Sequence, residues 1–180
     1  YIAGRRDLVE MCSYRLTTPG TGRELGCTLG HSRELFMGAF HAPFVTGEAL
    51  KTAAFAASLF SLMGYTVTPT PEEARSDIIQ AIQLGARETL VAFCRGLQKG
   101  SPVDSFVVPE PSPMPGYDSD VIMAAGAFTL GSSIELSGDA PLREPYAVWM
   151  QGGLNYPAGQ MGILMAAQEV IAVEGNKGCP

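Results

Sequence analysis

Charge, histidine and long apolar runs are all scarce in this chain. Of its 180 residues 17% are charged, and only two are histidine. His31 and His41 are therefore the only imidazoles, and Cys12, Cys27, Cys94 and Cys179 form no paired CxxC. A metal centre has few ligands to draw on. His31 lies three residues before Glu34, a metal-like spacing on a helix, but two ligands do not make a site. Basic residues are also few, 12 against 18 acidic, for a net charge of -6. An acidic chain without a basic cluster repels phosphate backbones, which excludes nucleic acid as a partner. The longest strongly apolar stretch, Ala53 to Gly64, is broken by Ser58 and Ser61. It falls short of the roughly 20 residues that span a bilayer, so no membrane partner is expected. No charged n-region followed by an apolar h-region opens the chain, and no signal peptide is read. The four cysteines could pair as two disulfides, but free thiols in a reducing cytoplasm are the reading adopted. Gly20 to Gly30 lacks GxGxxG order, so no phosphate loop is read there.

What the chain does have is apolar content, glycine and proline: 46% hydrophobic residues, 21 Gly and 13 Pro. Such a composition builds a core with many turns. The length allows one domain, or a small domain plus part of another. A helix is predicted from Arg5 to about Leu16, with Leu8, Val9, Cys12 and Leu16 near one face. Thr17–Gly30, with Pro19 and four glycines, reads as a loop or crossover. Gly47–Gly64 is the clearest helix. Ala49, Ala53, Ala56, Phe60 and Met63 form one stripe, and Leu50, Ala54 and Ala57 a second. Apolar nearly all round, it is expected to be buried between layers, with Gly64 at C′. Thr66-Val67-Thr68 suggests a strand. Ser76–Leu84 fits a helix or a strand, and a strand is preferred because Gly85 cuts it short. A helix follows from about Ala86 to Gln98, then a proline-rich extended loop over Ser101–Tyr117 and an apolar run over Val121–Phe128. Two antiparallel strands, Ser132–Ser137 and Tyr146–Met150, are expected around a turn at Gly138-Asp139-Ala140-Pro141. The last helix is expected from about Pro157 to Val173, with a frayed tail over Gly175–Pro180. The order after residue 47 predicts an α+β unit, an antiparallel sheet with helices on one face.

Several strings carry a resemblance. They include Gly47-Glu48-Ala49-Leu50-Lys51, Arg75-Ser76-Asp77-Ile78-Ile79-Gln80-Ala81-Ile82, Ser101-Pro102-Val103-Asp104-Ser105 and Met114-Pro115-Gly116-Tyr117. Val121-Ile122-Met123-Ala124-Ala125-Gly126, Ser132-Ser133-Ile134-Glu135-Leu136-Ser137, Arg143-Glu144-Pro145-Tyr146 and Gln151-Gly152-Gly153-Leu154 continue it. In collinear order over nearly the whole chain, they resemble the family described as aluminium resistance protein, or cystathionine β-lyase/methionine γ-lyase-like. That family consists of fold type I pyridoxal-phosphate enzymes of Cys/Met metabolism. Two departures are visible. Ser112-Pro113 stands where the family has Trp-Asp, and Ser137-Gly138-Asp139-Ala140-Pro141 where it has Ser-Ala-Asp-Gly-Pro. Both concern loop shape.

The resemblance implies that residues 1–46 are the end of a cofactor-binding α/β large domain with a crossover, and 47–180 a carboxy-terminal small domain. Tyr1-Ile2-Ala3-Gly4 is similar to the family's Gly-Tyr-Ile-x-Gly strand. The Lys-Asn-x-Gly-Gly-Gly segment that supplies the Schiff-base lysine is therefore expected just upstream. Tyr1, rather than methionine, opens the chain, so a fragment or processed product is expected. Lys51, Lys99 and Lys177 sit in no such motif. Pyridoxal phosphate is the implied cofactor of the parent enzyme, not covalently bound to this chain. The small domain of such enzymes usually holds the substrate carboxylate with an arginine. Arg143 is the first candidate, beside the reading of a solvated arginine at a strand edge. Arg75 is the second, beside an ion pair with Asp77 or Glu73. Gln151, at the Gly-Gly break, is the third, beside an ordinary turn residue. The implied function is the carboxy-terminal part of a carbon–sulfur lyase-like enzyme, supplying carboxylate binding and domain closure. The implied partners are an amino-acid substrate and the remaining large-domain segment or a homo-oligomer. The alternative is a free-standing fragment acting as a binding or assembly module.

Overall fold

The computed structural model describes residues 2–16, 30–125 and 135–177. It divides into two compact units, Tyr1–Ala42 and Pro43–Pro180. The first holds α1 (Arg6–Arg15) and the start of α2 (Ser32–Leu62). No residue of α1 is buried. Its start is held by Arg5, whose Nε and Nη2 both donate to Asp7 at 2.7 Å. All but Gly30 of the loop expected over Thr17–Gly30 lies outside the described residues. The long helix α2 runs through Pro43, which has no N–H to give the carbonyl four residues back.

The second unit is built around a five-stranded antiparallel sheet: β1 (Thr66–Thr68), β2 (Gln80–Gln83), β3 (Val121–Ala125), β4 (Ser137–Pro141) and β5 (Ala147–Gln151). Their order across the sheet is β1-β2-β5-β4-β3. Helices α3 (Arg87–Lys99) and α4 (Tyr156–Lys177) complete the unit. The α+β expectation thus holds for the described residues. Side chains alternate across the pleat. Val67, Ile82 and Val148 register side by side on the inner face, and all are buried. Thr68, Ala81, Trp149, Asp139 and Met123 register across the outer face, where Trp149 is exposed.

The core lies between the inner face and the helices. Phe60 and Phe93 meet with ring centroids 5.3 Å apart, and Leu90, Leu97, Ile163 and Val170 are fully buried around them. Glycines set how close α3 and α4 come. A Cβ added at Gly96 would stand 2.4 Å from the Met165 carbonyl, and one at Gly100 2.4 Å from Gly162 Cα. Small residues at those positions let the two backbones touch.

Three expectations are corrected. The Gly47–Gly64 helix is the end of a longer one, and it is buried on one side rather than all round. Ala49, Ala53, Ala56, Ala57 and Phe60 are covered, while Leu62 is exposed. Gly64 does close it, with φ +93°, its amide donating to Ser61 and that of Tyr65 to Phe60, a Schellman arrangement. The expected turn at Gly138-Asp139-Ala140-Pro141 lies in strand β4, registered with β3 throughout and with β5 at Gly138 and Asp139, and the true turn is Leu142–Tyr146. Ladder bonds from two neighbours outweigh the turn propensity of Gly, Asp and Pro. The last helix extends through Gly175 to Lys177 rather than ending at Val173.

Candidate functional site

The three predicted site residues fall at two different ends of β5. Arg143 sits in the β4–β5 turn. Its amide donates to Pro141 O at 2.9 Å, and its own carbonyl accepts from the Tyr146 amide at 2.7 Å. The side chain is exposed and makes no hydrogen bond or ion pair among the described residues. It lines a shallow recess of about 80 Å³ with Pro141, Glu144, Pro145, Ala147 and Trp149. A charged fork held by a short turn, beside an indole and two prolines, is suited to a small carboxylate.

Gln151 lies at the opposite end of β5, half-buried and paired with Ser137. Gly152 and Gly153 follow with φ +82° and +104°, values that glycine adopts freely. Gly153 also runs close to α2, since an added Cβ would lie 3.2 Å from Thr52 Oγ1.

Arg75 belongs to the Gln151 end, because Gln80 registers with Met150. Its guanidinium is already engaged. It donates to the side-chain oxygen of buried Gln80, to Ala53 O at 3.4 Å and to Ile79 O at 3.5 Å. Partial burial pulls its pKa below the ordinary arginine value, and Asp77 opposes this. Asp77 instead accepts from the Ile79 amide at 2.8 Å. No salt bridge joins Arg75 to Asp77 or Glu73 among the described residues.

Lys51 donates to Glu48 at 2.6 Å, and Lys99 pairs with Glu169. Glu48 also receives the Tyr156 amide at 2.7 Å and so caps α4. The Lys51 contact, more than that amide, holds the Glu48 carboxyl below its usual range. With both amines engaged, these lysines do not fit an internal Schiff base. His31 Nδ1 and Glu34 Oε2 stand 2.8 Å apart, and no group of three or more metal-ligating residues occurs among the described residues. Burial pushes the Cys94 thiol up to about 12, so it is inert. Ser132-Ser133 lies outside the described residues.

Two acids escaped the sequence reading. Asp139 stands in mid-sheet beside Trp149, and burial raises its pKa. Glu135 is buried at the entry to β4. The available signal was an acid set between apolar neighbours, Ile134 and Leu136.

The model of the methionine gamma-lyase family matches residues 1–171. The chain belongs to that family. It is 47% identical over 176 residues to an uncharacterized 33.9 kDa protein of Lactobacillus delbrueckii subsp. bulgaricus, covering 98% of this chain and 58% of the relative. It is 43% identical over 171 residues to the uncharacterized protein YnbB of Bacillus subtilis, covering 95% of this chain and 41% of that one. Family members solved by crystallography share the fold. A carbon–sulfur lyase involved in aluminum resistance from Clostridium novyi matches with 49% identity and a TM-score of 0.82, over 93% of this chain and 39% of its own. A candidate cystathionine beta-lyase involved in aluminum resistance from Listeria monocytogenes matches with 44% identity and a TM-score of 0.85, over 93% and 42%. The chain thus spans about two fifths to three fifths of the length of these relatives. Lyases of this family are generally pyridoxal-phosphate enzymes. No helix among the described residues is long and apolar enough to cross a membrane.

Proposed function

We propose that this chain is the carboxy-terminal part of a cytoplasmic, fold type I, pyridoxal-phosphate-dependent carbon–sulfur lyase, and that it supplies substrate-carboxylate binding through Arg143. Family membership supports the reaction class. The observation that carries the residue is the difference between the two arginines: among the described residues Arg143 has an unbonded, exposed guanidinium in a recess, whereas Arg75 is spent on Gln80 and two backbone carbonyls. The cofactor, when bound, is an electron sink for the carbanion formed next to the amino group. Its Schiff-base lysine is assigned to the family's Lys-Asn-x-Gly-Gly-Gly segment, since Lys51, Lys99 and Lys177 sit in no such motif and Lys51 and Lys99 are ion-paired. This chain's part is to bind and orient the amino acid and to close over it with the large domain or a second subunit.

The test is steady-state kinetics of the intact enzyme on a sulfur amino acid. Arg143→Lys keeps the charge and removes the bidentate fork, so KM should rise about tenfold, equivalent to roughly 1.4 kcal/mol, with a smaller change in kcat. Unchanged KM in Arg143→Lys would remove Arg143 from the site.

A further inference from the structure

The outer face of the sheet carries a carboxyl that neither the fold nor the binding of a substrate carboxylate uses. Asp139 is half-buried in mid-strand, and it makes no hydrogen bond or ion pair among the described residues. Its ladder partner on β5 is Trp149, and its partner on β3 is Met123, which brings no charge. Residues directly opposite in a ladder have Cβ atoms about 5 Å apart, so the carboxyl is within reach of a group resting on the indole. Burial alone raises the Asp139 pKa, as it does for a carboxyl partly stripped of water and given no donor in exchange.

The same face leads from Asp139 to Arg143. Side chains two residues apart on a strand share a face at about 7 Å, so Pro141 follows Asp139 along β4, and Arg143 stands in the turn beyond it. Trp149 belongs to both ends. It lines the Arg143 recess with Pro141 and Ala147, and it pairs with Asp139 across the ladder. An unbonded guanidinium and an unbonded carboxyl thus stand at the two ends of one apolar strip. Glu144 also lines the recess, but it is exposed and water already holds its charge. A metal ion does not suit Asp139, because one carboxylate among apolar neighbours cannot complete an oxygen shell. A plain alkyl thioether fills the apolar strip and leaves Asp139 unpaired. An ammonium beyond the sulfur pairs with Asp139 in a partly dry setting, where the attraction exceeds that in water, and it rests against an indole that attracts cations.

We propose that Asp139 and Trp149 form a leaving-group subsite that selects thioether amino acids carrying an ammonium group beyond the sulfur. The assignment rests on Arg143 as the holder of the substrate carboxylate. With that end fixed, the side chain runs over Pro141 and Trp149, and its far ammonium meets Asp139.

The test compares S-(2-aminoethyl)-L-cysteine with S-propyl-L-cysteine, two thioether amino acids of nearly equal shape. Each is measured as a competitor of a sulfur amino acid in steady-state kinetics of the intact enzyme. The parent should bind the aminoethyl compound at least about tenfold more tightly by inhibition constant. Asp139→Asn, which keeps the side-chain shape and removes the charge, should bring the two constants together. Trp149→Leu keeps the acid and removes the ring. It should shrink the ratio part-way, and it serves if Asp139→Asn does not fold. Arg143→Lys should weaken both competitors alike and keep their ratio. A failure of the carboxylate assignment therefore shows as no weakening in Arg143→Lys, and a failure of the subsite as no ratio in the parent. The proposal is overturned if the parent does not prefer the aminoethyl compound, if Asp139→Asn or Trp149→Leu leaves that preference whole, or if Glu144→Gln removes it instead.

Discussion

At one end of β5 Arg143 stands in an open recess, its guanidinium without a hydrogen bond or ion pair among the described residues. At the other end Arg75 is half-buried, and its guanidinium is held by Gln80, Ala53 and Ile79. The two arginines carry the same charge but leave different amounts of it available. Arg143 is exposed, so water holds its charge, and its freedom records availability at little energetic cost. Arg75 shows the opposite case, a charge fully used by its own fold. A charged group thus points to a ligand only when its partners and its exposure are read together.

The contrast between the arginines can be broken by mutation. Arg75→Ala strips buried Gln80 of its donor, and about 2–3 kcal/mol of stability should be lost in denaturant unfolding. Arg143→Ala should stay within about 0.5 kcal/mol of the parent. Equal losses would mean that Arg143 is structural too. A smaller effect comes from Asp139, whose folded pKa burial raises. Its protonated form favours the fold below the unfolded carboxyl value, and that advantage disappears as pH rises through the folded value. Asp139→Asn should therefore raise the melting temperature at pH 7 and leave it nearly unchanged at pH 3. Glu48 works in the opposite sense. Lys51 and the Tyr156 amide lower its pKa. Its stabilisation is present above about pH 4.3, the ordinary glutamate value, and is lost as pH falls through the lower folded value. Glu48→Gln should flatten that part of the acid limb in pH-dependent melting. A limb of unchanged steepness would place the acid sensitivity elsewhere.

Much of the fold was legible because apolar spacing carries it. The inward stripe of α2, the Leu90-to-Leu97 face of α3 and the β-branched Thr66-Val67-Thr68 all sit where periodicity puts them. The β4 segment was not legible. Gly138, Asp139 and Pro141 signal a turn locally, and only pairing with β3 and β5 makes them strand. The site was half legible. Arg143 stood out by its Pro-bounded setting, and that setting is a real turn. Arg75 stood second in sequence, beside a pair with Asp77 or Glu73, and its real partners Gln80 and Ala53 are brought to it only by folding.

The assignment of Arg143 stands or falls on how the intact enzyme treats a substrate without a carboxylate. Compare kcat/KM for a sulfur amino acid and for its carboxamide, in the parent enzyme and in Arg143→Gln. The parent should prefer the acid by at least about tenfold, the worth of one charge-assisted fork, and Arg143→Gln should lose that preference. A preference that survives in Arg143→Gln would contradict the assignment.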